Sequence, residues 1–390
     1  MIKFLKENIY LIILFILIYT SNDTVLFGTN SSSSIFYIKY ILLFLITGFL
    51  VFKKGLSNNI LSYISLLLLC FILSFIASPT GFGFIYILLL FLIALLYAHI
   101  VTFPIFCEYF NKIVYIFAIF SLVFYIVNLI IPSALDAFPT ITNAADLAFK
   151  NCILSVVPEI LVIRNFGIFR EPGVFICYLN IAIFFELFFE DKSYSSKRLI
   201  IYIITILTTI STAGYIVFAI IIVSYILSRR KFTFLPFALL GLLGFAIYYI
   251  SNNEIISTQL FHKITNKTDS YIARVSSITV PLKMISINPL GVGPEQYNIL
   301  FPILSSNLYG VSVDPEISTN TMLKFCSVYG IQTFIFILIG VLKLIKTVSR
   351  QYLVRASFFI IILLLSSNED LRESIMFYLL LAYGFINKRK

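Results

Sequence analysis

Long apolar runs almost free of charge constrain this chain more than any other feature. A helix needs about 20 mostly apolar residues to cross the hydrocarbon core of a bilayer, and such runs recur along the whole sequence. Hydrophobic residues occupy 60% of the 390 positions and charged residues 12%, whereas soluble domains are roughly 45–50% apolar and 25% charged. Most of the chain must therefore face lipid or other apolar helices. The sequence predicts an all-α polytopic membrane protein.

The runs predict about twelve transmembrane helices within a single transmembrane domain over residues 1–390. The predicted spans cover residues 8–27, 34–52, 60–77, 82–101, 110–131, 172–189, 199–211, 213–227, 232–250, 318–342, 352–366 and 371–387. The runs 199–211 and 213–227 are short, so they are either two thin helices or one broken crossing. The first run lacks a small-residue cleavage site, and we interpret it as a retained helix.

The placement of basic residues predicts the orientation of these spans. Lys and Arg are enriched in cytoplasmic loops. With the N-terminus inside, 18 of the 28 Lys and Arg residues are cytoplasmic: Lys3, Lys6, Lys53, Lys54, Lys112, Lys192, Lys197, Arg198, Arg229, Arg230, Lys231, Lys343, Lys346, Arg350, Arg355, Lys388, Arg389 and Lys390. Both termini are then cytoplasmic. The net charge of +10 reflects orientation and does not indicate a nucleic-acid partner.

Two long segments fall on the outer side of the membrane in this topology, residues 132–171 and residues 251–317. Loops longer than about 12–15 residues are usually functional or disordered, and the Ile, Leu, Tyr and Pro content of the second segment argues against disorder. Apolar residues recur at helical intervals over 269–285. This spacing predicts an amphipathic helix with Arg274 and Lys283 on its charged side.

The most unusual local sequence is Arg-Asn-Phe-Gly-Ile-Phe-Arg-Glu-Pro-Gly at residues 164–173. Fixed charge at a bilayer is costly, about 2.5–3.5 kcal/mol for an arginine at the centre of a span. Because the arginine fork suits phosphate oxygens, Arg164, Arg170 and Arg274 indicate a site for an anionic ligand. Two alternative interpretations need no ligand. The segment is an interfacial loop whose arginine side chains snorkel to the membrane surface, or Arg170 and Glu171 form an ion pair that only holds the loop in place.

Glycines accompany these charges in both outer segments. Gly167 and Gly173 permit close backbone approach, and Pro172 suits the first position of the sixth span, whose positive dipole end would face the bound anion. In the second segment, the sequence 288–294 contains Gly291 and Gly293, and its Asn-Pro and Gly-x-Gly-Pro patterns predict a turn.

The five cysteines have no metal-ligand spacing, so the sequence predicts neither a metal site nor a cofactor. They are expected to act mainly as small buried hydrophobes. A disulfide between Cys152 and Cys177, both on the outer side, stays open.

The order of these elements resembles a known family. GIFREPG at 167–173 precedes a span, and a short pair of spans follows. Next come a long outer loop with an arginine-bearing helix, the sequence NPLGVGPEQY at 288–297, and a late span that begins at Asn320 and continues to Tyr329-Gly330-Ile331. Over roughly residues 160–340 the chain resembles the bacterial O-antigen polymerase/O-antigen ligase superfamily of membrane glycosyltransferases, which implies a GT-C-like fold.

The resemblance implies inverting, metal-independent glycosyl transfer on the outer face of the cytoplasmic (inner) membrane. The donor and acceptor would be glycans on undecaprenyl pyrophosphate, joined into O-antigen, capsule or exopolysaccharide, and a chain-length regulator would be a protein partner. Arg164, Arg170, Arg274 and Asn320 are then expected to bind the pyrophosphate. Arg170 would also stabilise the leaving group, and Glu171 would act as the general base. The weaker candidates for the base are Glu316, Glu369 and Asp370.

One departure separates the two activities of the family. The ligases carry a histidine just before the asparagine that starts the late span, and here that position is Thr319. The difference favours a polymerase over an O-antigen ligase-type transferase. A flippase or transporter of lipid-linked oligosaccharides is a further alternative, although transporters place charges near the bilayer midplane. In this chain Glu186, near the inner end of the sixth span, comes nearest to that pattern.

Overall fold

The computed structural model describes residues 2–29, 32–78, 83–143, 146–159, 164–189, 195–228 and 269–386, together with residue 241. Its α-helices are α1 Ile2–Tyr19, α2 Ser33–Lys54, α3 Asn58–Ala77, α4 Phe84–Ile100, α5 Phe103–Ile130, α6 Pro172–Phe188, α7 Ser196–Thr209, α8 Thr212–Ser228, α9 Asp269–Ile287, α10 Pro294–Tyr309, α11 Thr321–Val348, α12 Tyr352–Asn368 and α13 Ile375–Phe385. Three strands, β1 Thr140–Thr142, β2 Ala148–Asn151 and β3 Val156–Pro158, lie between α5 and α6.

Apolar helices dominate the described residues, as a polytopic membrane protein requires. Four of them are long and apolar enough to cross a bilayer: Ser34–Lys54, Asn58–Ala77, Phe103–Ile130 and Thr321–Val348. Phe44 and Leu45 on α2 are each 65% exposed, an exposure that lipid tolerates and water does not. Shorter apolar helices follow most other predicted spans. The number twelve stays a prediction, and the predicted span 232–250 lies almost entirely outside the described residues.

Local sequence signals explain where several helices begin. The Ser57 hydroxyl accepts the Ile60 N–H, and the Ser195 hydroxyl accepts the Arg198 N–H, so each side chain satisfies one of the unpaired donors at a helix start. Pro172 and Pro294 occupy the first turns of α6 and α10, where a missing N–H costs nothing. The short helices α7 and α8 meet at Ile210, which has a left-handed φ of 49°.

The chain packs into two compact units. The first comprises Met1–Leu56, Ile93–Ile221 and Glu373–Leu379, and the second comprises Ser57–Leu92, Ile222–Arg372 and Leu380–Lys390. In the first unit, α5, α6 and α7 pack against one another. The interpretation of residues 1–390 as one transmembrane domain stays a prediction.

The first outer segment contains a small sheet, so the expectation of an all-α chain was wrong in this region. The strands pair in the order β1-β2-β3, and both pairs are antiparallel. Short alternating β-branched stretches suit such pairing, and the sheet buries Phe149 and Val156 against Val25. Cys152 packs with Leu135 and Val157. All five cysteines are free and buried, so Cys152 and Cys177 are not bonded to each other.

In the second unit, α9 and α10 form a helical hairpin whose connection carries the predicted turn. The Thr279 and Tyr309 hydroxyls lie 2.8 Å apart near the open end of the hairpin. Gly291 and Gly293 have φ of 106° and 78°, and they lie in the turn between the helices. The predicted amphipathic helix 269–285 is therefore present as α9.

The exposed face of α9 is more apolar than the sequence predicted. Arg274 and Lys283 are exposed as expected. Ile278 and Leu282, one and two turns after Arg274, are 47% and 50% exposed. The buried face carries small residues such as Ser276 and Ser277 beside Val280. Small residues on the packed face permit close contact with α11, and this leaves larger apolar side chains on the outside.

Helix α11 is broken at Gly330, which has non-helical angles of φ 84° and ψ 166°. The break exposes carbonyl groups that the turn between α9 and α10 satisfies. The Val292 N–H donates to the Ser327 carbonyl at 2.8 Å, and the Gly293 N–H donates to the Val328 carbonyl at 3.0 Å. Irregular backbone inside an apolar helix is stable only where such partners replace the lost hydrogen bonds. The predicted late span 318–342 is thus a longer helix with an internal break.

Candidate functional site

The arginine-rich segment 164–173 is an ordered loop of the first unit, and Asn165 holds it in place. The Asn165 side chain donates to the hydroxyls of Ser121 and Thr208 at 3.1 and 3.0 Å, and it accepts the Gly167 N–H at 3.0 Å. Gly167 has φ of 59°, and a Cβ there would lie 2.9 Å from the Phe175 ring. Both the conformation and the space therefore require glycine at this turn.

Arg164 lies against the C-terminal end of α7. Its Nε donates to the Thr209 carbonyl at 3.1 Å, which is a favourable position for a cation because helix C-termini carry unsatisfied carbonyl groups and partial negative charge. The side chain also lines a small cleft with Ser121, Tyr125 and Asn128. Arg164 thus has a structural role whether or not it also binds an anion.

Arg170 and Glu171 lie directly before α6. Glu171 is the N-cap residue, and its side chain does not cap the helix. The carboxylate is exposed, and within the described part of the chain it makes no hydrogen bond or ion pair. Arg170 is half-buried, and its backbone N–H donates to the Asp23 carbonyl at 2.9 Å. Arg170 and Glu171 thus follow one another directly before the positive end of the α6 dipole.

Gly173 differs from the prediction that grouped it with the turn glycines. It lies inside the first turn of α6, and its carbonyl accepts the Cys177 thiol at 3.2 Å. The reason is that Pro172 fixes a helical φ, so α6 begins at Pro172, the start that the sequence predicted, and Gly173 is already helical.

The first unit contains a buried polar cluster beside Arg170 that the sequence did not reveal. Asp23 is 1% exposed, and its Oδ2 accepts hydroxyl groups from Tyr178 at 2.6 Å, Ser374 at 2.5 Å and Ser21 at 3.1 Å. The sequence signal is an aspartate inside the predicted first span 8–27, whereas in the structure Asp23 follows the end of α1 at Tyr19.

The other predicted site residues belong to the second unit: Arg274, Gly291, Gly293 and Asn320. Asn320 is buried and caps α11, because its side chain accepts the Leu323 N–H at 3.0 Å. This cap accounts for the asparagine without a ligand. Thr319 precedes Asn320, and its hydroxyl donates to the Ser367 carbonyl at 3.4 Å. A threonine at this position cannot act as a general base as a histidine could.

A second buried cluster surrounds Asp370. The carboxylate pairs with Lys324 at 2.9 Å, and Arg372 binds it through Nε and a terminal nitrogen, each at 2.9 Å. The Lys324 ammonium also lies 5.5 Å from the centre of the Tyr297 ring. Burial alone would raise the pKa of Asp370, but Arg372 and Lys324 hold it far below its usual range. Asp370 is therefore a poor general base.

The other weaker candidates for a base are not favoured either. Glu316 is exposed in a 3₁₀ turn, Pro315–Ile317. Glu369 is 9% exposed, and its backbone carbonyl accepts the Thr321 hydroxyl at 2.5 Å. Among the carboxylates considered from the sequence, Glu171 is the one that is both accessible and placed beside an arginine.

Glu186, the charged residue that a transporter would need, is part of a structural network. Its carboxylate lies 2.9 Å from Arg198 Nε, and it accepts the Asn111 amide at 3.1 Å and the Ser195 N–H at 2.5 Å. Its side chain has no exposed surface. A carboxylate held in this way stabilises the packing of α5, α6 and α7.

Metal ligands do not cluster in the described ranges, where no group of three or more His, Cys, Asp or Glu side chains is placed to hold an ion. His262 lies outside those ranges. The chemistry that the described residues offer is binding of an anion by arginine and proton transfer by a carboxylate.

Comparison with known proteins gives one family match, over part of the chain. Residues 199–338 match the family model described as O-antigen ligase. This match covers α7, α8, the α9–α10 hairpin and the first part of α11. No curated protein and no solved structure matches the chain. The match over residues 199–338 supports the resemblance to the O-antigen polymerase/ligase superfamily of membrane enzymes.

Proposed function

We propose that this protein is a polysaccharide polymerase. It joins oligosaccharide repeat units carried on undecaprenyl pyrophosphate, on the outer face of the cytoplasmic membrane, by inverting glycosyl transfer without a metal. The product is an O-antigen, a capsule or an exopolysaccharide. The observation that carries the proposal is the family match over residues 199–338. It is taken together with the neighbouring residues Arg170 and Glu171, which lie directly before α6.

In this proposal Arg170 binds the pyrophosphate of the donor. Charge develops on that leaving group as the anomeric C–O bond breaks, and a guanidinium at a helix N-terminus stabilises it. Arg164 contributes further positive charge in the first unit, and the role in pyrophosphate binding predicted for Arg274, in the second unit, stays a separate prediction. Asn320 orders the start of α11 by capping it, so its part in binding is indirect.

Glu171 takes the proton from the acceptor hydroxyl. That oxygen then attacks the anomeric carbon from the side opposite the leaving group, which inverts the configuration. The proton moves to the carboxylate and the electron pair of the broken bond moves to the pyrophosphate, so the step is balanced. The exposure of Glu171 supports this role, since a base must reach its substrate.

Arg170→Ala tests the proposal in cells. We expect long glycan chains to disappear while insertion of the protein into the membrane and single-repeat products persist. The matched control is Arg350→Ala, which removes an exposed arginine between α11 and α12 and should leave the chain-length distribution unchanged. A normal ladder of chain lengths from well-expressed Arg170→Ala protein contradicts the proposal.

An O-antigen ligase-type transfer is the second candidate, because the matching family model carries that description. The two reactions share a donor and differ in the acceptor: a polymerase extends a second lipid-linked repeat, and a ligase uses lipid A-core. Thr319 at the position of the ligase histidine favours the polymerase. Offering both acceptors to the purified protein in equal amounts distinguishes them by the size and lipid anchor of the product.

A flippase or transporter of lipid-linked oligosaccharide is the third candidate. Glu186, the charge that comes nearest to the pattern of a transporter, is enclosed by Arg198, Asn111 and Ser195. This enclosure supports a structural role for the glutamate rather than a role in transport.

A further inference from the structure

We infer that Asp23 and Tyr178 are positioning residues that fix the backbone at Arg170 for binding of the pyrophosphate. This inference rests on the proposed function of Arg170 and deepens it. Arg170 lies in a loop, whereas arginine contributes most to catalysis when its position is set before the substrate arrives. The described contacts supply that constraint from residues far away in the sequence.

The first constraint is a short antiparallel pairing between two loops. Residues Thr24 and Phe169 form an isolated β-bridge. On one side of it the Arg170 N–H donates to the Asp23 carbonyl at 2.9 Å, and on the other side the Val25 N–H donates to the Ile168 carbonyl at 3.0 Å. The segment that follows α1 therefore fixes the backbone on both sides of Phe169, immediately before the Arg170 side chain.

The second constraint connects the same two loops through Tyr178 on α6. The Tyr178 hydroxyl donates to Asp23 Oδ2 at 2.6 Å, and the Tyr178 ring lies 4.4 Å from the Phe169 ring, centre to centre. Phe169 is fully buried, and it also packs against Phe175 and Phe117. Two hydrogen bonds and one aromatic contact thus connect three points in a closed triangle: Asp23, Tyr178 and the dipeptide Phe169–Arg170.

The third observation concerns the burial of the Asp23 side chain. A carboxylate at 1% exposure is costly unless it is well hydrogen-bonded. Here its side-chain donors include the hydroxyls of Tyr178, Ser374 and Ser21. These donors come from α6, from the loop before α13 and from the end of α1. The carboxylate therefore holds three separate elements around one point, and its own carbonyl holds Arg170.

The variant Tyr178→Phe tests the inference with the smallest change, because it removes one hydroxyl and keeps the ring contact with Phe169. The matched control is Tyr202→Phe, in the same unit. Tyr202 is also fully buried, and its hydroxyl donates to the Asn111 carbonyl at 2.7 Å. Both variants lose one buried hydrogen bond, so Tyr202→Phe controls for the general effect of such a loss in this unit. Asp23→Asn serves as a second variant that keeps the size of the side chain.

Elongation by purified protein gives the first measurement. We expect Tyr178→Phe to lower kcat/KM about 10-fold to 100-fold, the scale of a misplaced binding group, and Tyr202→Phe to leave it unchanged. In an Arg170→Lys background the loss caused by Tyr178→Phe should shrink, because the hydroxyl acts through Arg170. The inference is overturned if Tyr178→Phe lowers kcat/KM by the same factor in the Arg170→Lys background as in the wild type. It is also overturned if the two tyrosine variants have equal effects.

Hydrogen exchange gives a measurement that needs no activity. We expect Tyr178→Phe and Asp23→Asn to speed amide exchange in a peptide covering residues 166–174, and Tyr202→Phe to leave that peptide protected. Unchanged protection in the first two variants overturns the inference. If the wild-type protein elongates nothing, the proposed function fails, and the exchange experiment still decides whether Asp23 and Tyr178 fix the loop.

Discussion

At the scale of single residues, hydrogen-bond partners separate the charged and polar residues that hold the fold from those to which we assign a chemical role. Arg164 caps the end of α7, and Asn320 caps the start of α11. Asp370 is enclosed by two cations. Glu171 differs from these residues, because its carboxylate is exposed beside Arg170 and no described group engages it. We therefore assign the proton transfer to Glu171, whose side chain makes no contact that holds the described fold together.

Glu171→Gln should lower the elongation rate by about 100-fold or more, since an amide cannot accept the proton. The stability of the purified protein should not change, because the side chain caps no helix. Glu316→Gln is the control, as it removes another exposed carboxylate. Equal rates for the Glu171→Gln variant and the wild type would assign the base to another residue.

Glu186→Ala should act on stability rather than on the chemical step. Removing one partner of a buried ion pair leaves the other charge uncompensated, at a cost of about 3–5 kcal/mol. Thermal unfolding in detergent measures the effect. Glu108→Ala is the control, because Glu108 pairs with Lys112 at 2.6 Å on an exposed helical surface, where such pairs contribute little. A specific loss of transport without a loss of stability would instead revive the transporter interpretation.

At the scale of elements, the break in α11 shows what the sequence could and could not predict. Apolar length and positive flanks predicted a late span, and the Gly-x-Gly-Pro pattern predicted a turn. That the turn supplies the hydrogen bonds missing at Gly330 depends on contacts between residues about 35 positions apart, which periodicity does not encode. The same reason explains why Arg170 and Glu171 could be singled out from local sequence and Asp23 could not.

Gly330→Ala should destabilise the protein by about 1–3 kcal/mol, because its backbone angles lie in a region that only glycine adopts readily. A Cβ there would also contact the Leu290 carbonyl. Gly48→Ala is the matched control in α2, where a Cβ meets no atom within 4 Å and alanine should be neutral or stabilising. Equal melting temperatures for the two variants would contradict the broken helix.

The loop before α13 should make stability depend on pH through Asp370. The folded protein lowers the pKa of this carboxyl, so its contribution is fully present above the ordinary Asp pKa of about 3.9. That contribution is lost as the pH falls below this value. We expect the melting temperature of the wild type to fall more steeply between about pH 4 and pH 2 than that of Asp370→Asn. Parallel pH curves would show that the ion cluster contributes nothing.

At the scale of the whole molecule, the apolar helices are those of a polytopic membrane protein, and the family match over residues 199–338 supports the O-antigen polymerase/ligase superfamily. The helical character followed from composition, and the small sheet did not, because strands of three or four residues carry too little pattern to distinguish them from a loop. The order of the motifs predicted the superfamily correctly. The choice between polymerase and ligase depends on one position, Thr319, and therefore requires an assay of the acceptor.

The most direct test of the central proposal is elongation of a lipid-linked repeat by the purified protein in detergent or liposomes, resolved on a gel. We predict a ladder of lengthening glycans on undecaprenyl pyrophosphate that persists in excess EDTA and disappears with Arg170→Ala. A single product on lipid A-core would identify a ligase. Movement of the lipid-linked repeat between leaflets without any new glycosidic bond would contradict the proposed function altogether.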